Sequence, residues 1–75
     1  MTGDAVVGEA ANGQGVVRTA HVGRGGAFSG TAAQVRLVPS TAATHPTSGS
    51  AGDLFVDASK RLWFCKGTTM WVQIA

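Results

Sequence analysis

The feature that most constrains this chain is where its large apolar groups lie. Four of its five aromatic residues, Phe55, Trp63, Phe64 and Trp71, fall within residues 52–75, together with most of the large aliphatics. Any core must be built largely from that stretch, GDLFVDASKRLWFCKGTTMWVQIA. It alternates short apolar runs with polar breaks. Leu54, Phe55 and Val56 form the first run, residues 61–65 the second and residues 70–74 the third. Asp57-Ala58-Ser59-Lys60 and Lys66-Gly67-Thr68-Thr69 lie between them as turns. β-Branched and aromatic runs punctuated by Gly, Asp and Ser predict a β-meander. No apolar set recurs at three and four residues for long enough to predict a helix.

Alternate residues of a strand share a face. Leu62 and Phe64 therefore share one, with Trp63 and Cys65 on the other; Trp71 and Gln73 oppose Val72 and Ile74. A sheet with one wet side alternates apolar with polar, but here both faces carry large apolar groups. Both are expected to be covered, the second by the upstream segment or by another subunit.

Length sharpens that need. Seventy-five residues make at most one small domain, and below roughly 70–80 residues a single core seldom supplies more than about 3–5 kcal/mol without a staple. The one cysteine, Cys65, cannot close an intrachain disulfide, and no Cys/His cluster offers a structural zinc site. The staple that remains is oligomerisation. Only 13% of residues are charged, which suits a chain that hides much of its surface in an assembly. The net charge is +2, and Arg18, Arg24, Arg36, Lys60, Arg61 and Lys66 are spread along the chain. A nucleic-acid binder clusters its basic groups, so no nucleic-acid partner is expected. No stretch approaches the ~20 apolar residues of a membrane helix, so no membrane partner is expected either. Residues 1–20 lack the basic start and apolar core of a signal peptide. Met1-Thr2-Gly3 reads as a start placed before a chain that begins inside a repeat.

Residues 5–34 repeat with a period of ten: AVVGEAANGQ, GVVRTAHVGR, GGAFSGTAAQ. Val6-Val7 aligns with Val16-Val17 and then Gly26-Ala27, and Asn12-Gly13-Gln14-Gly15 aligns with Val22-Gly23-Arg24-Gly25. A β-prone pair, small residues and a Gly-x-Gly corner suit a β-solenoid or an intertwined β-helix, with glycine turning the corner where side chains would clash. Three rungs are too few for a stable single-chain solenoid. Their side chains, mainly Ala and Val, fill a narrow space, which three chains packing around one axis fit better. Gln34-Val35-Arg36-Leu37-Val38 predicts a strand ended by Pro39. The Pro, Ser, Thr, Gly and Ala that follow predict a loop along a surface, reaching across to a neighbouring subunit.

GRGGAFSGTAAQVRLVPS followed by GDLFVDASKRLWFCKGTTMWVQIA resembles the C-terminal segment of large Gly-rich repeat proteins of bacteria and phages. The resemblance is specific at Gly25-Gly26-Ala27-Phe28-Ser29-Gly30, at Arg36-Leu37-Val38-Pro39 and at Gly52-Asp53-Leu54, and weak in the first repeats. Similar arrangements in phage tail fibres and tailspikes are homotrimeric β-structures, a helical stalk ended by a cap. The resemblance implies trimerisation, a virion or cell-surface parent and no activity. One departure is the hairpin tip, Ala58-Ser59-Lys60, where such hairpins often carry glycine; primed turns want Gly, Asn or Asp.

No catalytic motif is present. In Gly23-Arg24-Gly25-Gly26-Ala27-Phe28, Phe28 stands where a dinucleotide fingerprint needs its third glycine. There is no phosphate loop and no nucleophile elbow. The acids Asp4, Glu9, Asp53 and Asp57 show no pairing, and Asp53 and Asp57 are expected to cap the turns that flank a strand. Cys65 reads as a small buried hydrophobe rather than a reactive thiol. In a three-fold trimer, His21 or His45 near the axis would meet two copies of itself and offer a His₃ site for Zn²⁺ or Cu²⁺. Otherwise both are solvated and no cofactor is needed. Trp63 and Trp71 read as core or interface residues, with stacking on a surface polysaccharide as the alternative.

The reading is an all-β obligate homotrimer without catalysis. Residues 1–38 form a Gly-rich stalk (an intertwined β-helix from residue 5), residues 39–52 a crossing loop and residues 53–75 a β-meander cap. The candidate interface comprises Phe28, Val35 and Leu37 of the stalk segment. From the cap it takes Leu54, Val56, Leu62, Trp63, Phe64, Trp71, Val72 and Ile74. The function expected is structural, trimer registration at the end of a fibre-like protein, with a carbohydrate or receptor-binding tip and a metal-binding trimer as alternatives.

Overall fold

A computed structural model describes residues 6–75. Met1-Thr2-Gly3, Asp4 and Ala5, the first residue of the repeat, lie outside the described residues. The fold is all-β: three strands and, among the described residues, no helix. The strands β1 (Leu54–Val56), β2 (Leu62–Gly67) and β3 (Met70–Gln73) form an antiparallel sheet in the order β1-β2-β3. The alternating apolar runs of residues 52–75 thus form the expected meander.

Register follows the two turns. Leu54 faces Phe64, Phe55 faces Trp63 and Val56 faces Leu62. On the other side of β2, Phe64 faces Val72 and Cys65 faces Trp71. Lys66 is the extra residue of a bulge between Cys65 and Gly67. At the first hairpin the Lys60 amide donates to the Asp57 carbonyl at 2.9 Å, and the Asp57 amide to the Arg61 carbonyl at 3.1 Å. Lys60 takes φ 65°. A tight turn followed by one left-handed residue is the three-residue hairpin connection that usually places glycine at that point. The tip therefore does without glycine by holding a lysine in a costly conformation. Replacing it, Lys60→Gly, is expected to stabilise the protein by about 1 kcal/mol, read as a raised thermal midpoint. An unchanged or lowered midpoint would show that the strain is absent.

Upstream, the ten-residue period is visible in the backbone. Bends at residues 11–13 and 21–23 alternate with extended segments, and Gly13 and Gly23, ten residues apart, take φ 83° and 94°. These left-handed corners are open to glycine at little cost. Where the third corner falls, residue 33 is alanine and no positive φ recurs. Residues 34–38, expected as a strand, are not paired. They are extended at most, because no partner strand lies beside them among the described residues. Among the described residues, no backbone–backbone hydrogen bond joins two residues of the stretch 6–39. The side chains there are exposed as well: Val6 84%, Val22 93% and Phe28 69%.

The loop departs from expectation. It turns back onto its own sheet instead of leading away. The Ser40 amide donates to the Val56 carbonyl at 2.8 Å and Ala58 to the Ala42 carbonyl at 2.8 Å. Further on, the Gly49 amide donates to Thr68 and the Gly52 amide to Cys65. The physical reason is that a two-sided apolar sheet takes the nearest available cover, and this loop is tethered to both its ends.

Candidate functional site

The sheet has two faces with different fates. One carries Phe55, Asp57, Trp63, Cys65 and Trp71, and the loop packs over it, burying Asp57 and Cys65 and leaving the three aromatic residues half-buried. His45 is the key. Its ring stacks on Trp71 at 5.5 Å between centroids, 18° from parallel, and meets Trp63 edge-on at 4.5 Å. Its Nδ1 lies 2.6 Å from the Pro46 carbonyl, which accepts the ring N–H. Phe55 meets Trp71 edge-on at 6.2 Å. Gly49 seats against the Trp71 ring and the Cys65 sulfur. Cys65 is fully buried, the one apolar side chain among the described residues that is.

Asp57 organises the end of this face. It is fully buried, and its carboxylate accepts four hydrogen bonds. Oδ1 takes the amides of Ser59 and Arg61 at 2.9 and 3.1 Å, and Oδ2 takes Arg61 Nε at 2.7 Å and Trp63 Nε1 at 2.9 Å. The same guanidinium donates to the Ala43 carbonyl at 2.8 Å, which ties the loop to the hairpin, and it lies 5.5 Å from the Trp63 ring centre. Burial works against the charged carboxylate. The hydrogen bonds from Trp63, the Arg61 amide and the Arg61 guanidinium, with the latter's charge, outweigh it and hold the Asp57 pKa at about 2. Asp53 caps more modestly, accepting from the Ser50 amide at 2.9 Å. Both aspartates thus serve the turns, as the sequence suggested.

The opposite face carries Leu54, Val56, Leu62, Phe64, Val72 and, by alternation, Ile74. Leu54, Phe64 and Val72 stand in one row across the three strands. They are only partly covered: Leu54 is 54% exposed, Val72 45% and Ile74 56%. Val56, Leu62 and Phe64 are half-buried.

The candidate interface residues therefore divide into three groups. Trp63 and Trp71 lie on the closed face. Leu54, Val56, Leu62, Phe64, Val72 and Ile74 lie on the open one. Phe28, Val35 and Leu37 lie exposed on the unpaired upstream stretch. His21 sits at an exposed bend of that stretch, and His45 is engaged with the tryptophans. Among the described residues of one chain, no three His, Cys, Asp or Glu side chains come together as a metal site. No helix among them is long and apolar enough to cross a membrane. Two features escaped the sequence reading: the loop's closure by His45 and the buried Asp57–Arg61–Trp63 cluster. A signal for the first did exist, since His45 carries the one aromatic ring in a loop of small residues.

The chain matches no protein-family model, no curated protein and no solved structure.

Proposed function

We propose that this chain is a structural homotrimerisation module, a β-helical stalk and a meander cap of a fibre-like or surface protein, without catalysis of its own. The observation that carries the reading is surface in excess. The chain exposes 6500 Å², whereas a compact monomer of 7.6 kDa exposes about 4,300 Å². The excess, about 2,200 Å², is of the size one protomer buries in an obligate interface. The radius of gyration agrees: 14.3 Å against about 11 Å for a compact chain of this length.

The upstream stretch supports the same reading. Its corners repeat with the sequence period, yet its amides and carbonyls have no backbone partners within residues 6–39 among those described, and its valines face outward. Backbone groups left unpaired beside exposed apolar side chains form a pairing edge. Two further copies would supply both the partners and the cover, and the small rung side chains favour three chains around a narrow axis.

The test is absolute mass by light scattering on a sizing column, over a wide dilution series. The expected result is three times the chain mass, held on dilution. A folded particle of single-chain mass would end the proposal.

A further inference from the structure

We infer that residues 34–38 of each chain add as a fourth strand to the free edge of β3 on a neighbouring copy. The inference rests on the oligomeric reading above and assigns one of its contacts.

The two edges of the sheet differ. The outer edge of β1 is taken by the chain's own loop: the Ser40 amide donates to the Val56 carbonyl and the Ala58 amide to the Ala42 carbonyl, both at 2.8 Å. The outer edge of β3 is not taken. β3 pairs with β2 alone, and among the described residues no backbone–backbone hydrogen bond reaches residues 70–73 from the loop or the upstream stretch. The Ile74 amide donates inward to the Leu62 carbonyl at 2.7 Å, and bonding direction alternates along a strand. Trp71 and Gln73 therefore turn their amides and carbonyls outward. Exposed edges are normally blunted by charge, proline or cover. Met70, Trp71, Val72 and Gln73 carry neither charge nor proline, so this edge is open to a further strand.

The occupant is written in the sequence. Gln34-Val35-Arg36-Leu37-Val38 has the alternation of a strand, five residues against the four of β3, and among the described residues its backbone pairs with nothing. Laid on β3 with Val35 and Leu37 beside Val72, its apolar pair continues the apolar row, and Arg36 falls on the side of Gln73.

Its own β3 is out of reach. Ser40 is held outside β1, and a strand outside β3 lies four strand spacings away, about 19 Å. Val38, two residues before Ser40, extends at most about 7 Å from it. Gln34 covers the distance only if the whole segment runs straight across the sheet, and then it no longer lies along β3. The β3 edge that can accept the segment belongs to another copy. A segment lying near the β1 edge of one sheet then meets the β3 edge of the next. Such a head-to-tail contact closes into a ring when repeated around an axis, as a trimer requires.

The experiment uses the full chain and reads mass by light scattering, with tryptophan emission reporting that the cap is folded. Gln73→Pro removes an outward amide of β3 and spares the inward ones. Arg36→Pro and Leu37→Pro remove amides on opposite edges of the upstream segment; neither has a backbone partner within the chain. Gln73→Pro and at least one of the other two are expected to run at single-chain mass, with wild-type emission, at concentrations that hold wild type as a trimer. Should Gln73→Pro unfold the cap, cross-linking decides. The double variant Leu37→Cys/Val72→Cys, treated with a short bis-maleimide, is expected to give linked pairs and triples of chains on a denaturing gel; native Cys65 is fully buried. A trimeric wild type whose double variant stays unlinked, or whose folded Gln73→Pro variant keeps the trimeric mass, overturns the strand addition and leaves the trimer standing. A wild type of single-chain mass removes the oligomeric reading and this inference with it.

Discussion

Asp57→Asn is expected to lower the thermal midpoint by on the order of 10 °C or more. The substitution keeps the shape but replaces an acceptor oxygen with a donor amide. Four donors converge on the carboxylate: two turn amides, the Arg61 Nε and the Trp63 indole N–H. An asparagine satisfies those on one oxygen and faces the others with N–H groups. The Arg61 guanidinium then loses its counter-charge while still held toward the loop by Ala43. The hairpin tip, the loop and Trp63 should loosen together, so tryptophan emission should shift to the red alongside the midpoint. Asp53→Asn is the control, since Asp53 accepts one exposed hydrogen bond, and it should change little. A midpoint for Asp57→Asn equal to that of Asp53→Asn would show that the cluster is not structural.

The same group sets an acid limb. Asp57 titrates at about 2 in the folded chain instead of the ordinary 3.8. A carboxyl whose folded pKa is depressed binds fewer protons folded than unfolded, so it contributes stability above the unfolded value. That contribution fades as pH falls from about 3.8 to about 2. Wild type should lose stability over this window, and Asp57→Asn should show a correspondingly flatter profile. Identical acid limbs in the two proteins would remove the argument.

The second large effect is expected at Gly49. A Cβ there would stand 2.7 Å from Trp71 Cζ2, 3.2 Å from Asp53 Oδ2 and 3.3 Å from the Cys65 sulfur. The indole cannot yield cheaply, because it already stacks on His45 and meets Phe55 edge-on. Gly49→Ala should therefore lift the loop from the sheet and cost about 1–3 kcal/mol, the range for overpacking a filled site. Gly49→Val should cost more. The readouts are a lowered midpoint and faster labelling of Cys65, which wild type shields completely. An unchanged midpoint with Cys65 still unreactive would show that the loop is not packed as described.

Much of the cap was legible from pattern alone. Leu54-Phe55-Val56, the aromatic run around Trp63 and Met70-Trp71-Val72 are β-branched or aromatic runs between turn residues, and such runs become strands wherever a neighbour of the same kind lies one turn away. The corners at Gly13 and Gly23 were legible too, since a periodic glycine marks a backbone position that other residues occupy at a cost. Legibility ended where pairing is not local. Gln34-Val35-Arg36-Leu37-Val38 has the alternation of a strand, but a strand exists only with a partner, and none lies beside it among the described residues. The loop of residues 39–52 has no periodic pattern, so its return to the sheet could not be read from it; His45, its one aromatic ring, was the single signal for where it closes.

The sequence by itself determined the β-class of the fold, the order of its strands, the aspartate-capped turns and the shortage of core. These follow from local alternation, from turn chemistry and from counting large apolar groups in 75 residues. Only the tertiary structure decided which face of the sheet is closed. Both faces are apolar in sequence, and alternation treats them alike. What separates them is contact between residues distant along the chain: His45 with Trp71, Gly49 with Cys65, Ala43 with Arg61. Those contacts spend the loop on one side and leave Leu54, Phe64 and Val72 open on the other.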